Sequence, residues 1–287
     1  MVQLSIIIVS YNAKDYLEKA LLTVQFAVSG FSSEIFVVDN ASDDGSPDMI
    51  KEKFPDVILI ENNVNTGFAR ANNAALKRSE GKFILLLNPD TIVKENTFKI
   101  VFKAFEEYPE AGAAGCKILN EDGSLQLSCR RSIPTPWITF TRMLGLSRIF
   151  PQSRIFAKYN LTYLDADEVA EVEALSGAFI MVRREVLDKT GYLDEQFFMY
   201  GEDLDWCYRI SQAGYKIIYY PKTSITHYKG RSTDMKTWAQ VKVFYEAMSK
   251  FSAKHFRNYS VLLPLWLMKS AIWSLAILNY IFRKIFR

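Results

Sequence analysis

The chain has 287 residues, 49% hydrophobic and 23% charged, enough to bury a substantial core and too apolar for disorder. A net charge of only +3, with Lys and Arg spread out until the last segment, excludes a dedicated nucleic-acid binder. Cys116, Cys129 and Cys207 show no CxxC spacing, which excludes a disulfide framework or a structural zinc site and suits a reducing cytosol.

Met1-Val2-Gln3-Leu4 runs directly into a strand-like segment, without the basic stretch or cleavage site of a secretory leader, so the folded part is expected to stay cytosolic. Leu4 to Val9, Glu34 to Asp39, Val57 to Ile60 and Phe83 to Leu87 read as strands separated by amphipathic helical stretches. Nearly continuous apolar strands alternating with helices predict a parallel sheet covered on both faces. Such sheets bind ligands outside the carboxyl ends of their strands. The polar tips Ser10-Tyr11-Asn12, Asp39 to Ser46 and Asn88-Pro89-Asp90 are therefore predicted to face ligand.

After Asp90 a helix is predicted near Asn96 to Glu107, a strand near Ala113 to Leu119 and a turn at Glu121-Asp122-Gly123, so this half is expected to be mixed. Residues 131–170 carry no clear period. Their Pro134, Pro136 and Pro151, with basic residues among Trp, Phe, Leu and Ile, read as an excursion toward an acceptor or a membrane. Order returns with a strand from Ala174 to Val182, a helix from Glu202 to Ala213 closed by Gly214, and a strand from Lys216 to Tyr220 stopped by Pro221, leading to His227.

From Val261 to Phe282 the chain is almost wholly apolar, interrupted by Pro264 and Lys269. Lys269, Tyr280, Arg283, Lys284 and Arg287 form one stripe at helical spacing, and Lys250, Lys254 and Arg257 flank the other end. Positive charge at both ends disfavours a single span and favours a helix lying in the plane of the cytoplasmic leaflet. A helix packed on the domain or on a second subunit is the alternative. The expected organisation is a domain over 1–235 and a helical, membrane-associating segment over 236–287.

Asp39 leaves the edge of its strand, where a carboxylate can accept the N3–H of a uracil or thymine ring or bind a ribose hydroxyl; the alternative is a turn cap. Asn65 to Asn73 opens a helix in which Gly67 allows close backbone approach to a ligand and Arg70 can balance phosphate charge, though Asn-Thr-Gly is equally an ordinary turn. Asp90 can hold a divalent cation, Mg²⁺ by its oxygen chemistry, or also Mn²⁺ if His227 reaches the same ion; a purely structural His227 stays open. Glu202, Asp203 and Asp205 open a helix, and any of them could take a proton from a hydroxyl or serve only as a dipole partner. Spacing does not choose among them. The absence of Gly-x-Gly-x-x-Gly after the first strand excludes a dinucleotide oxidoreductase.

Taken in order from about residue 4 to residue 232, one set of motifs resembles the family-2 glycosyltransferases of the GT-A fold, especially their rhamnosyltransferase-like members. The set is Val9 to Asn12, Val37 to Ser42, Asn65 to Ala69 with Asn72-Asn73, Leu87 to Asp90, Ser176 to Phe179 with Arg183-Arg184, Phe197 to Trp206, and His227 with Gly230 and Ser232. The resemblance implies an α/β GT-A domain with a mixed central sheet and C-terminal amphipathic helices. It implies donor contacts from Ser10, Tyr11, Asn12, Asp39, Gly67, Arg70, Asn72, Asn88 and Asp90, with Asp90 and His227 holding Mn²⁺ or Mg²⁺. Asp203 is then the general base, with Gly177, Glu202 and Trp206 near the acceptor or transferred sugar.

The activity implied is inverting transfer of one sugar from a dTDP- or UDP-sugar, with dTDP-rhamnose a fitting donor. The implied acceptor is a polyprenyl-diphosphate-linked or other glycan, and the place is the cytoplasmic face of the bacterial inner membrane, peripherally, in surface-polysaccharide assembly. A homo-oligomer is left open. Asn88 departs from the usual Asp-x-Asp and leaves fewer charged metal ligands; the Gln-x-x-Arg-Trp motif of processive synthases is absent. The competing reading is a catalytically silent nucleotide-sugar-binding or scaffold protein, against which Asp90, Asp203 and His227 argue.

Overall fold

The computed structural model describes residues 1–228 and 237–256, together with residues 270, 273, 274 and 277. Its first half is built from β1 (Leu4–Ser10), α1 (Lys14–Ala27), β2 (Ser33–Asp39), α2 (Ser46–Lys53), β3 (Ile58–Glu61), α3 (Phe68–Leu76) and β4 (Phe83–Leu87). The strands pair in parallel, Ile8 against both Val37 and Leu87, in the spatial order β3-β2-β1-β4. Because β1 and β4 are buried along their whole lengths, no polar face appears in either. Helix α1 shows the complementary pattern: Leu17, Ala20, Leu21, Val24 and Ala27 recur at helical spacing and all are buried. The strand order reverses between β1 and β4, which places a crevice at their carboxyl ends.

The second half makes the sheet mixed. After β5 (Thr91–Ile92), α4 (Thr97–Glu107) and β6 (Ala111–Leu119), a turn held by Ser124 O accepting from Asn120 N–H leads to a 3₁₀ turn, Leu127–Cys129, and β7 (Arg130–Arg131). Next come α5 (Pro136–Met143), α6 (Leu146–Ile149), β8 (Ala170–Glu171), β9 (Ala174–Leu175), β10 (Phe179–Arg183), α7 (Arg184–Thr190), α8 (Glu202–Gln212), β11 (Lys216–His227) and α9 (Trp238–His255). β10 runs antiparallel between β4 and β6, and β11 pairs with β6, β5 and β8, while β7 and β9 form a separate pair.

Two expectations are corrected. The strand expected over Ala174 to Val182 is two strands, because Ser176-Gly177-Ala178 leaves the ladder between them. Pro221 does not stop its strand: β11 continues to His227, and the proline sits where pairing with β6 lapses between Tyr219 and Ser224, so its missing N–H costs no ladder bond.

Helix α9 begins with a capping box, Thr237 and Gln240 each bonding the other's backbone N–H. Its Ala247 and Phe251 join the main core. Among the described residues no helix is long and apolar enough to cross a membrane. The motif positions Gly230 and Ser232, and the apolar stretch from Val261 to Phe282 apart from four of its residues, lie outside the described residues.

Candidate functional site

The carboxyl ends of β1, β2 and β4 collect the first group of polar side chains. Ser10 and Asp39 are partners across β1 and β2. Asp39 Oδ2 accepts from Ser42 N–H at 2.9 Å, while Asp39 Oδ1 and Ser10 Oγ are buried with no hydrogen bond among the described residues. Leaving such oxygens unpaired costs about 1–3 kcal/mol each, so this corner is built to receive donors. Asn12 instead ties loops together, its N–H donating to Ser42 Oγ and its Oδ1 accepting from Asp43 N–H, each at 2.9 Å; Tyr11 is exposed.

Gly67 carries φ +83°, and a Cβ there would lie 2.4 Å from the carbonyl oxygen of Phe198. The close approach that selects glycine is therefore to Phe198, whose carbonyl also accepts from Phe68 N–H at 2.6 Å. Arg70 is exposed and pairs with Glu195 at 3.1 Å. Asn72 is buried and donates to Phe68 O, leaving its Oδ1 unpaired among the described residues.

At the end of β4, Asp90 is 1% exposed and its Oδ1 lies 3.1 Å from His227 Nε2. Asn88 Nδ2 lies 3.2 Å from the same nitrogen. The third partner, Gln126, has no signal in the sequence. Its Nε2 donates to Asn120 Oδ1 at 3.2 Å, so its Oε1 is the atom 2.9 Å from His227 Nδ1. Nδ1 must then carry the proton, and in the neutral ring the Nε2 lone pair points toward Asp90. An oxygen and a nitrogen lone pair about 3 Å apart match neighbouring ligands of a cation bound at roughly 2.1 Å, and the Gln126 contact is the kind of outer-shell bond that orients a metal-binding histidine. Asp90 and His227 thus fit a divalent cation, with Asn88 alongside; no cluster of three or more acidic, His or Cys ligands exists among the described residues.

One strip of backbone joins this group to the acidic helix. Asn88 N–H donates to Ala178 O at 3.2 Å, and the preceding Gly177 N–H donates to Asp203 Oδ2 at 3.0 Å. Gly177 sits between Asp203 and Phe68, each 3.6 Å from where its Cβ would stand. The same Asp203 oxygen accepts from Arg131 Nη2 at 2.6 Å, a pair whose side chains are only 11% and 13% exposed. Burial opposes the charge on Arg131, but Asp203, with smaller help from Tyr159 and Cys207, outweighs it and holds the guanidinium above its ordinary value. Asp203 Oδ1 accepts from Leu204 N–H at 2.7 Å. A carboxylate has roughly four acceptor sites; Arg131, Gly177 and Leu204 fill three, leaving one on Oδ1.

The three neighbouring carboxylates separate by environment. Asp205 is fully buried and taken up by Arg209 at 2.8 Å and by His255 and Lys254 at 2.6 Å each, which fastens α9 to α8 and removes Asp205 from chemistry. Glu202 is 6% exposed with Oε2 unpaired among the described residues. Burial, with Asp203 and Asp205 adding repulsion, pushes its carboxyl up to about 8, so it carries a proton at neutral pH. Trp206, expected near the acceptor, is wholly buried in the core, because it faces inward from α8 while Glu202 and Asp203 do not. Just before α8, Tyr200 and Gly201 are both left-handed, at φ +67° and +86°. A non-glycine residue held there is strained backbone, here at the entry to the acidic helix.

Glu202, Asp203 and Arg131 open into a cavity of about 240 Å³. Its other walls come from the start of the 131–170 excursion, with Pro134, Pro136 and Phe140, and from α9, with Phe244, Met248 and Phe251. The excursion also exposes Trp137, Leu144, Ile149, Phe150 and Ile155.

Comparison with known proteins agrees with this architecture. The model of the family "Glycosyl transferase family 2" matches residues 5–191. An N-acetylglucosaminyl-diphospho-decaprenol L-rhamnosyltransferase of Mycobacterium tuberculosis is 30% identical over 241 residues, covering 80% of this chain and 77% of the relative. Rhamnosyltransferase WbbL of Escherichia coli is 29% identical over 232 residues, covering 78% and 82%. Among solved structures, mannosyltransferase PcManGT from Pyrobaculum calidifontis, in complex with GDP-Man and Mn²⁺, superposes with TM-score 0.57 at 16% identity, covering 98% of this chain and 88% of that one. TarS of Staphylococcus aureus (residues 1–349) with UDP-GlcNAc gives 0.57 at 19%, covering 88% and 66%; this chain spans 39% of a longer TarS chain. With that family match, the two rhamnosyltransferase relatives and the mixed sheet, the chain belongs to glycosyl transferase family 2 and carries the GT-A fold.

Proposed function

We propose that this glycosyltransferase is an inverting, metal-dependent, non-processive enzyme that moves one sugar from a dTDP- or UDP-sugar, with dTDP-rhamnose the leading donor. The acceptor is a polyprenyl-diphosphate-linked glycan. The reaction belongs to bacterial surface-polysaccharide assembly on the cytoplasmic face of the inner membrane, where the 131–170 excursion and the C-terminal segment from residue 236 hold the enzyme peripherally. The relative in M. tuberculosis is named for a diphospho-decaprenol substrate and a rhamnosyl group, which supports both choices.

The observation that carries the reading is the strip Asn88–Ala178–Gly177: the Asn88 side chain meets His227, Asn88 N–H donates to Ala178 O, and Gly177 N–H donates to the Asp203 carboxylate. Asp39 and Ser10 present unpaired oxygens to the nucleoside, with Tyr11, Asn12, Gly67, Arg70 and Asn72 shaping that end of the donor site. Asp90 and His227, beside Asn88, would hold Mn²⁺ or Mg²⁺, which when bound neutralises charge on the donor diphosphate. Asp203 Oδ1 takes the proton of the acceptor hydroxyl as its oxygen bonds to the anomeric carbon and the bond to the diphosphate breaks, the nucleoside diphosphate leaving with the electron pair. Arg131 and Gly177 fix the carboxylate during that step. Glu202, as a neutral acid, donates a hydrogen bond to the acceptor.

A panel of dTDP- and UDP-sugars is assayed for binding and turnover with Mn²⁺ and with chelator. Metal-dependent binding and turnover lost in Asp203→Asn are expected; tight donor binding indifferent to chelator contradicts the Asp90–His227 assignment, and equal turnover in mutant and wild type removes Asp203 as base.

A further inference from the structure

The cavity beside Asp203 is divided in character. Three of its charged groups, Arg131, Glu202 and Asp203, come from β7 and the first turn of α8, whereas most of the remaining wall is hydrocarbon and aromatic. A free sugar would find few partners on walls made of Pro134, Pro136, Phe140, Phe244, Met248 and Phe251. Buried carbohydrate hydroxyls facing such walls would each lose hydration without compensation. Arg142 also lines this space; it is exposed, its guanidinium lies 4.0 Å over the Tyr159 ring, and it has no ion pair among the described residues. An occupant that suits all of this has a hydroxyl-bearing head at Asp203, an anionic link for Arg142 and a hydrocarbon tail.

We propose that the cavity between α5, α8 and α9 receives the first part of the prenyl chain of a prenyl-diphosphate-linked acceptor, with Arg142 facing the diphosphate. The enzyme then draws the lipid into its own body and does not leave it wholly in the bilayer. This rests on Asp203 being the proton acceptor of the transfer reaction proposed above, since that sets where the head lies. The excursion supplies both the Pro134–Phe140 wall and the exposed Trp137, whose ring lies 6.0 Å from that of Phe140, so apolar surface leads from outside to the cavity wall.

The test uses the full chain and titrates farnesyl diphosphate against inorganic diphosphate by calorimetry, with chelator present to silence metal-dependent binding at the donor site. Farnesyl diphosphate is expected to bind at least about tenfold more tightly, a difference that a few buried CH₂ groups supply. Phe140→Asp, which charges a half-exposed wall position, and Met248→Trp, which fills the cavity, are each expected to weaken it about tenfold or more. Separate titration of dTDP or UDP with Mn²⁺ reports on fold and donor site and is expected to match wild type in both variants. Equal binding of the two diphosphates, or variants that bind farnesyl diphosphate as wild type does, overturns the proposal. Failure of wild type to bind either nucleotide overturns the proposed dTDP- or UDP-sugar donor site instead.

Discussion

Arg131 and Asp203, 72 residues apart in sequence, form a buried ion pair with Nη2 and Oδ2 2.6 Å apart. Truncating Arg131 leaves Asp203 buried and uncompensated, so Arg131→Ala is expected to cost about 3–5 kcal/mol of stability. Asp203→Asn keeps the shape while removing the proposed proton acceptor, and turnover should fall about 10²- to 10⁴-fold with nucleotide affinity unchanged. Denaturant unfolding and steady-state kinetics separate the two effects.

Gln126 fixes the tautomer of His227 without touching any ligand itself. Gln126→Leu is expected to weaken Mn²⁺ binding about 10- to 100-fold, the usual cost of losing an outer-shell partner. Titrating Mn²⁺ against the protein in the presence of UDP reads this; unchanged affinity would remove Gln126 from the site.

Glu202 gives the protein a pH-dependent stability with a definite sign. Its carboxyl lies near 8 in the fold, against 4.5 in the open chain, so the native state holds the extra proton. Its stabilising share is complete below the unfolded value and drains away as pH rises toward 8. Glu202→Gln mimics the neutral acid at every pH. Melting curves from pH 5 to 9 should show wild type losing ground to this variant by roughly 2 °C or more at the alkaline end.

At Gly67 both space and backbone forbid a side chain, since Phe198 O stands 2.4 Å from a Cβ and φ is +83°. Gly67→Ala should destabilise by about 1–3 kcal/mol and push Phe198 off the start of α3, which a shift in thermal midpoint and weakened nucleotide binding would both register.

The parts of this fold legible in the sequence are those written in local patterns. Phe83–Leu87 is an unbroken apolar run and is strand β4 to the residue. The polar tips at Asp39 and Asn88 to Asp90 follow from where such strands end. Pro221 misled because its local meaning, a missing donor, was overridden by a lapse in pairing that only the neighbouring strand β6 defines. Arg131 and Gln126 stayed hidden for a related reason: each finds its partner across 72 and 101 residues, and a basic pair in an aperiodic stretch or a lone glutamine carries no mark of burial. Trp206, expected near the acceptor, is buried in the core because the helix turns it inward while its motif neighbours Glu202 and Asp203 face the cavity.

Helix α9 reaches back to Asp205 through Lys254 and His255, two residues along from Asp203. The end of α9 is therefore pinned to the first turn of α8. Freeing Lys254 and His255 from Asp205 would therefore loosen α9 together with the turn that carries Asp203, the carboxylate proposed to receive the proton.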